Sequence, residues 1–218
     1  MTQTDVSGSN RTLERAAAIL DAVGQGSLSA SDVARGTGLS VSTAHRLALP
    51  LTDYGFLSRE GDGNFRMGER FIVSTLANVA TPILTDLRRD TGETVQLWIR
   101  RGDDRVCLVS LDGIHELRAT VPVDARLPLP AGSSGRLLAL DKEALAQTAD
   151  RGWVESVGMR TPGLGSVSAP VRRDATIIAA VCLALPLARV RESPGEDYGQ
   201  QIVNAARRVT EAMAKRAS

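Results

Sequence analysis

The sequence predicts an α+β fold: three short helices and a hairpin, then a linker helix, then an antiparallel sheet flanked by helices. Three observations predict it. Residues 29–57, SASDVARGTGLSVSTAHRLALPLTDYGFL, read as two helices meeting at a glycine turn. From Pro82 onward the apolar spacing changes from helical to alternating, and strand-like runs recur. A last amphipathic stretch, 196–215, has helical spacing again and places Tyr198, Ile202, Ala206, Val209 and Met213 on one face.

The first helix spans 12–23 and aligns Leu13, Ala16, Ala17 and Leu20 on one face to complete a three-helix core. The second starts at Ser29, with Asp32 three residues on, so that each side chain satisfies amides left free at a helix start. It stops near Gly36, Gly38 takes the positive φ of a tight turn, and Leu39 plugs the corner. Ser40 caps the third helix, where Ala44, Leu47, Ala48 and Leu51 form a buried stripe at i, i+3, i+4 and i+7. Pro50 predicts a kink or an early stop near Leu49, because an interior proline costs about 3 kcal/mol or more. Residues 56–58 and 65–67 flank the glycine-rich tip REGDGN and read as a hairpin, a wing directly after the third helix.

The stretch 69–79 is apolar on one side through Phe71, Ile72, Leu76 and Val79, which suits either a linker that pairs with its twin or an ordinary core helix. Pro82 starts a separate helix with Ile83, Leu84 and Leu87 inward, ended by Gly92. Val95, Leu97 and Ile99 alternate with Gln96, Trp98 and Arg100, the pattern of a half-buried strand, which turns at Gly102-Asp103-Asp104 into a second strand over 106–111. Further strands are expected at 116–123, 164–171 and 176–185. The domains are therefore a disordered tail at 1–10, a winged helix-turn-helix at 11–68, a linker helix at 69–80 and a sheet domain at 81–218.

The outward face of the third helix carries Ser42, Thr43, His45, Arg46 and Leu49. Such a row suits the major groove of DNA: an arginine can donate two bonds to guanine, and short hydroxyl residues, Ser40 included, serve bases or phosphates. Arg59 and Arg66 on the hairpin are placed to reach phosphates, although two arginines on a hairpin also fit ordinary solvated residues. Net charge lends no support, since 11–70 holds seven arginines against seven acids. A neutral module binds a polyanion weakly alone, so dimerisation is expected.

At 218 residues and 43% hydrophobic, the chain is long enough for two domains with their own cores. The first ten residues lack an apolar core, so no signal peptide is expected. The longest apolar run, 177–188, is interrupted by Pro186 and too short to span a bilayer, so a cytoplasmic protein is expected. Cys107 and Cys182 lie in apolar runs and read as small buried residues, with a redox-sensing pair as the alternative. His45 and His115 are isolated, which leaves no metal set, and no cofactor is expected. No nucleophile stands beside a base in any catalytic motif, which argues against an enzyme and leaves a small-molecule-binding protein whose first module only mediates association as the alternative to DNA binding. A small-molecule pocket is placed at Ala131-Gly132-Ser133-Ser134-Gly135, whose glycines can turn amides inward at a helix start and whose serines add hydroxyl donors. An N-cap loop alone would read the same way.

Taken in order, LSVSTAHRL at 39–47, the Gly92-Glu93 start of the sheet domain, RLPLPAGSSGRLLAL at 126–140 and GSVSAPV at 165–171 resemble the IclR family of transcription regulators over nearly the whole chain. Within it, TGETVQL, TVPV, AGSSG and SVSAPV look most like the NdgR-like actinobacterial group tied to amino-acid metabolism. The resemblance implies a winged helix-turn-helix joined to a GAF-like effector domain, acting as a homodimer or dimer of dimers on double-stranded operator DNA. By position it also implies an effector pocket lined by Gly132, Ser133, Ser134, Ser156, Ser166, Cys182 and Ala184. Glyoxylate-type members carry an aspartate, a cysteine and two serines at the last four of these. Here Ser156 replaces the acid, and Cys182 and Ala184 replace the paired serines. The pocket, edged by Trp98 and Met159, is therefore expected to take a small molecule with an apolar side chain beside its carboxylate.

Overall fold

The computed structural model describes residues 10–24 and 26–217, so the expected tail, apart from Asn10, lies outside the described residues. Asn10 itself is no tail residue: its side chain accepts a hydrogen bond from the Thr12 amide and caps the first helix. The chain divides into two compact units at Thr75/Leu76.

In the first unit, α1 (Arg11–Val23), α2 (Ala30–Thr37) and α3 (Val41–Asp53) enclose a small core of Ile19, Val23, Val33, Ala34, Ala44, Ala48, Leu57 and Phe65. The inward face of α1 differs from the expected one. Ile19 and Val23 are buried while Leu13 is 67% exposed, because α2 and α3 pack against the bulkier β-branched stripe nearer the C-terminal end of α1. The caps fall where local chemistry puts them. Ser29 and Ser40 accept hydrogen bonds from the amides of Asp32 and Thr43, and Gly38 holds φ 71° at the turn. Pro50 neither stops α3 nor shortens it, for the helix runs on to Asp53 and the Tyr54 amide returns to the Pro50 carbonyl at 2.9 Å. Pro50 and Arg46 both lie on the exposed side, so the carbonyl that loses its partner can turn to water. The hairpin pairs β1 (Leu57–Arg59) with β2 (Phe65–Met67), and Leu28 bridges to Phe65 as a third, single-residue strand.

The predicted linker and the helix after it are one element. α4 runs unbroken over Glu69–Thr91, through Pro82. Pro82 and Asn78, whose carbonyl loses its amide, are exposed, so that carbonyl can turn to water. Gly92, at φ 72°, ends the helix as expected.

The second unit contains a six-stranded antiparallel sheet in the order β5-β4-β3-β8-β7-β6. Its strands are β3 (Thr94–Arg101), β4 (Asp104–Leu111), β5 (Arg126–Pro128), β6 (Val154–Val157), β7 (Leu164–Arg173) and β8 (Thr176–Pro186). Two short helices, α5 (Gly132–Leu138) and α6 (Lys142–Arg151), lie between β5 and β6, and α7 (Pro194–Ala217) ends the chain. β3 is not half-buried: it lies between β4 and β8, and its first six residues are buried on both faces. No strand forms at 116–123, where Leu117 is 66% exposed and only Ala119 and Val121 tuck into the core. Pro122 has no amide to offer β4, and the chain first joins that edge where Asp124 and Ala125 bond to Cys107, just before β5.

The start of β3 is fastened by a buried ion pair. Arg189 grips Glu93 through Nε–Oε1 at 2.6 Å and Nη2–Oε2 at 2.7 Å, while its Nη1 donates to the Leu117 carbonyl. The hydrogen bonds to Glu93 raise the Arg189 pKa further.

Candidate nucleic-acid interface and ligand cavity

On the first unit, α3 presents Ser42 and Arg46 to solvent, and Arg46 has no hydrogen bond or ion pair with the described residues. Ser40 Oγ is committed to the Thr43 amide and lies 2.8 Å from Thr43 Oγ1 and 3.1 Å from Ser42 Oγ. It acts as a cap that orders the first turn. His45 is half-buried with its ring edge-on to Phe65 at 6.1 Å, so it supports the base of the hairpin rather than projecting outward. The two wing arginines differ. Arg66 is engaged by Ser58 Oγ at 3.0 Å and Glu60 at 3.6 Å, whereas Arg59 only rests over the Phe65 ring and bonds weakly to the Gly63 carbonyl at 3.4 Å. Arg59 and Arg46 therefore hold the guanidinium groups of this set with no acidic partner.

In the second unit the strand register collects the predicted pocket residues on one face of the sheet, because directly opposed residues point the same way. Ser156 opposes Ser166, which opposes Ala184; Ser168 opposes Cys182, which opposes Gln96; and Ala180 opposes Trp98, which opposes Cys107. α5 packs on this face. Between them lies a small cavity, partly open to solvent. Trp98, Gly132, Ser156, Ser166, Cys182 and Ala184 line it as expected.

Ser133 and Ser134 are fully buried but have structural duties. Ser133 Oγ lies 2.7 Å from Ser166 Oγ and 2.8 Å from Ser168 Oγ, and its amide points at Ser166 Oγ. Ser134 Oγ accepts a hydrogen bond from Arg105 Nη1. The expected ring of free amides at Gly132–Ser134 is thus partly used within the protein. Met159 does not line the cavity. β6 ends at Val157, Gly158 turns at φ 67°, and Met159 is left 60% exposed, while Arg160 and Thr161 border the cavity instead.

Sequence reasoning missed Arg105 and Gln96. Arg105 is 4% exposed, reaches the cavity beneath Gly132, and stacks on Trp98 with its guanidinium carbon 4.5 Å from the ring centroid. A Cβ at Gly132, which holds φ 76°, would stand 3.4 Å from Arg105 Nη2, so the glycine makes room for the guanidinium. Gln96 is 3% exposed, and its Oε1 accepts from Trp98 Nε1 at 3.1 Å. Burial lowers the Arg105 pKa, and the nearby Arg160 adds to the effect.

Both cysteines are buried and unbridged, and burial pushes the Cys107 thiol up to about 12. Since the thiolate is the reactive form, a thiol-specific disulfide reagent at pH 8 is expected to leave Cys107 unlabelled in the folded protein and to label it on unfolding in urea. Fast native labelling would revive a redox role. Among the described residues no group of three or more His, Cys, Asp or Glu is placed to hold a metal, and no helix is long and apolar enough to cross a membrane.

Two family models match in the same order as the two units. Residues 12–61 match the IclR helix-turn-helix domain and residues 72–149 the bacterial transcriptional regulator IclR C-terminal domain. The chain belongs to the IclR family of DNA-binding transcription regulators. Similar proteins include the transcriptional repressor IclR of Escherichia coli, 24% identical over 93% of this chain and 90% of the relative. The regulator BhcR of Paracoccus denitrificans is 28% identical over 96% of this chain and 90% of its own length. Among solved structures, an IclR-family regulator from Rhodococcus sp. superimposes with a TM-score of 0.63 at 23% identity, covering 97% of this chain and 96% of that one. An IclR homologue from Microbacterium hydrocarbonoxydans, complexed with 4-hydroxybenzoate, gives 0.58 at 23% identity over 94% and 99%. The fold is therefore that of IclR regulators, a winged helix-turn-helix followed by an antiparallel sheet with helices.

Proposed function

We propose that this IclR-family chain is a ligand-responsive regulator of a metabolic or catabolic operon. It reads double-stranded operator DNA through Ser42, Thr43 and Arg46, and it takes a small carboxylate-bearing effector in the cavity of the sheet domain. The observation that carries the reading is the pairing of two features in one chain: an arginine without a partner on the exposed start of α3, and a separate cavity roofed by α5. The homologue bound to 4-hydroxybenzoate supports the choice of a carboxylate. The protein works in the cytoplasm as a homodimer or dimer of dimers, because a neutral reading module needs two half-sites to bind well. It is not an enzyme. Placement in the NdgR-like group rests on the TGETVQL, TVPV, AGSSG and SVSAPV segments. The effector acts by population shift: whichever dimer geometry binds it better becomes dominant, and the paired helices move relative to their half-sites.

The test is fluorescence anisotropy with labelled duplexes tiled across the DNA upstream of the gene. One duplex is expected to bind well above random sequence, and its affinity is expected to change in the presence of small carboxylates. Equal binding to every duplex would overturn the reading. Arg59 should act differently from Arg46. Arg59→Ala is expected to weaken all duplexes alike and to reduce the slope of log affinity against log salt by about one. Arg66→Ala should do less, since Arg66 is already engaged by Glu60.

A further inference from the structure

We infer that Arg105 and Gln96 form a carboxylate clamp, so that this cavity selects a monocarboxylate with a small apolar body. The inference rests on the sheet domain being the effector-binding unit and names which atoms do the selecting. The donors are already oriented. Arg105 Nη1 is held by Ser134 Oγ and one face of the guanidinium is covered by Trp98, yet Arg105 Nε is buried and has no partner. Gln96 Nε2 is likewise buried and unpartnered, because Trp98 Nε1 fixes the amide through its oxygen.

Arg105 and Gln96, each with a buried N–H donor that lacks an acceptor, both line the cavity, and no acid lines it. Leaving a guanidinium buried without a counter-charge is unfavourable, and the protein supplies none: its charged or titratable neighbours are Cys107, Cys182 and Arg160. Cys107 stays a neutral thiol at ordinary pH. A cation or a donor-rich neutral ligand would leave Nε and Nε2 unsatisfied, whereas a carboxylate brings acceptors alone and matches the planar guanidinium edge. Leu164, Gly165 and Ala184 also line the cavity, which suits a small apolar body. Exposed Arg160 stands at the border and adds positive field to the entrance.

The experiment measures thermal unfolding and calorimetric binding of the full chain with benzoate against benzamide and isobutyrate against isobutyramide, at matched ionic strength, with inorganic phosphate as a further probe. A carboxylate is expected to bind and raise the unfolding temperature while its amide does not. Arg105→Met is expected to weaken that carboxylate by about tenfold or more. The ligand-free Arg105→Met protein should unfold no earlier than wild type, because an uncompensated buried charge has gone. Equal binding of acid and amide, a response to phosphate alone, binding of no probe, or an undiminished response in Arg105→Met would each overturn the clamp. The wild-type comparison of acid with amide decides the matter even if the variant does not fold. Carboxylates that bind through Arg105 yet leave DNA affinity unchanged would support the clamp and count against ligand-gated DNA binding.

Discussion

Arg189→Ala is expected to lower the stability of the sheet domain by about 3 kcal/mol, the lower end of the cost of breaking a buried ion pair. The lower end applies because Arg189 is itself 27% exposed, while its partner Glu93 is 2% exposed. Removing the arginine strands a carboxylate just before the first strand of the sheet, with His115 Nε2 3.9 Å away. It also frees the Leu117 carbonyl and loosens the connection after β4. Urea unfolding followed by tryptophan fluorescence should show the loss, since Trp98 and Trp153 both lie in this unit. The double variant Glu93→Gln, Arg189→Met should recover most of it, because a neutral pair leaves no charge to bury. An unchanged midpoint in the single variant would show that water reaches Glu93 freely.

Arg46→Ala should have the largest effect on DNA recognition. A bidentate arginine–guanine contact discriminates by about 1–3 kcal/mol, so affinity for the operator should fall about 5- to 150-fold while affinity for random duplex changes little. Base preference should relax at one position per half-site. The side chain is exposed and without internal partners, so folding should be unaffected, and circular dichroism would check that. If the operator and the random duplex lose affinity equally, Arg46 contacts phosphate and the reading of α3 must be revised.

The caps at Ser29, Ser40 and Gly38 were legible in the sequence because they depend on hydrogen bonds and φ values within four residues. The prolines were not. Pro50 does not end its helix and Pro82 does not start a new one, because each lies on the exposed side, where the abandoned carbonyl meets solvent, and that side is settled only by tertiary packing. The alternation in β3 was real but its meaning was reversed. Gln96 and Trp98 look outward by polarity, yet the second face of the strand is a cavity wall under α5. Positions carried over from the family resemblance located Ser156, Ser166, Cys182 and Ala184 in the cavity, since cross-strand register preserves them. Arg105 escaped notice because an arginine at the start of an apolar strand looks like a solvated flank. Only the structure puts Gly132 and Trp98 over it.

The sheet also has well-guarded margins. Its two outermost strands, β5 and β6, are short, and the part of β7 that β6 leaves uncovered carries Pro170, which has no amide to offer. Two residues on, the Arg172 amide is taken by Thr210 Oγ1 of α7 at 3.1 Å. A neighbouring polypeptide seeking to extend the sheet finds few open backbone groups there, so aggregation through strand addition is suppressed even though the inner strands β3 and β8 are strongly apolar.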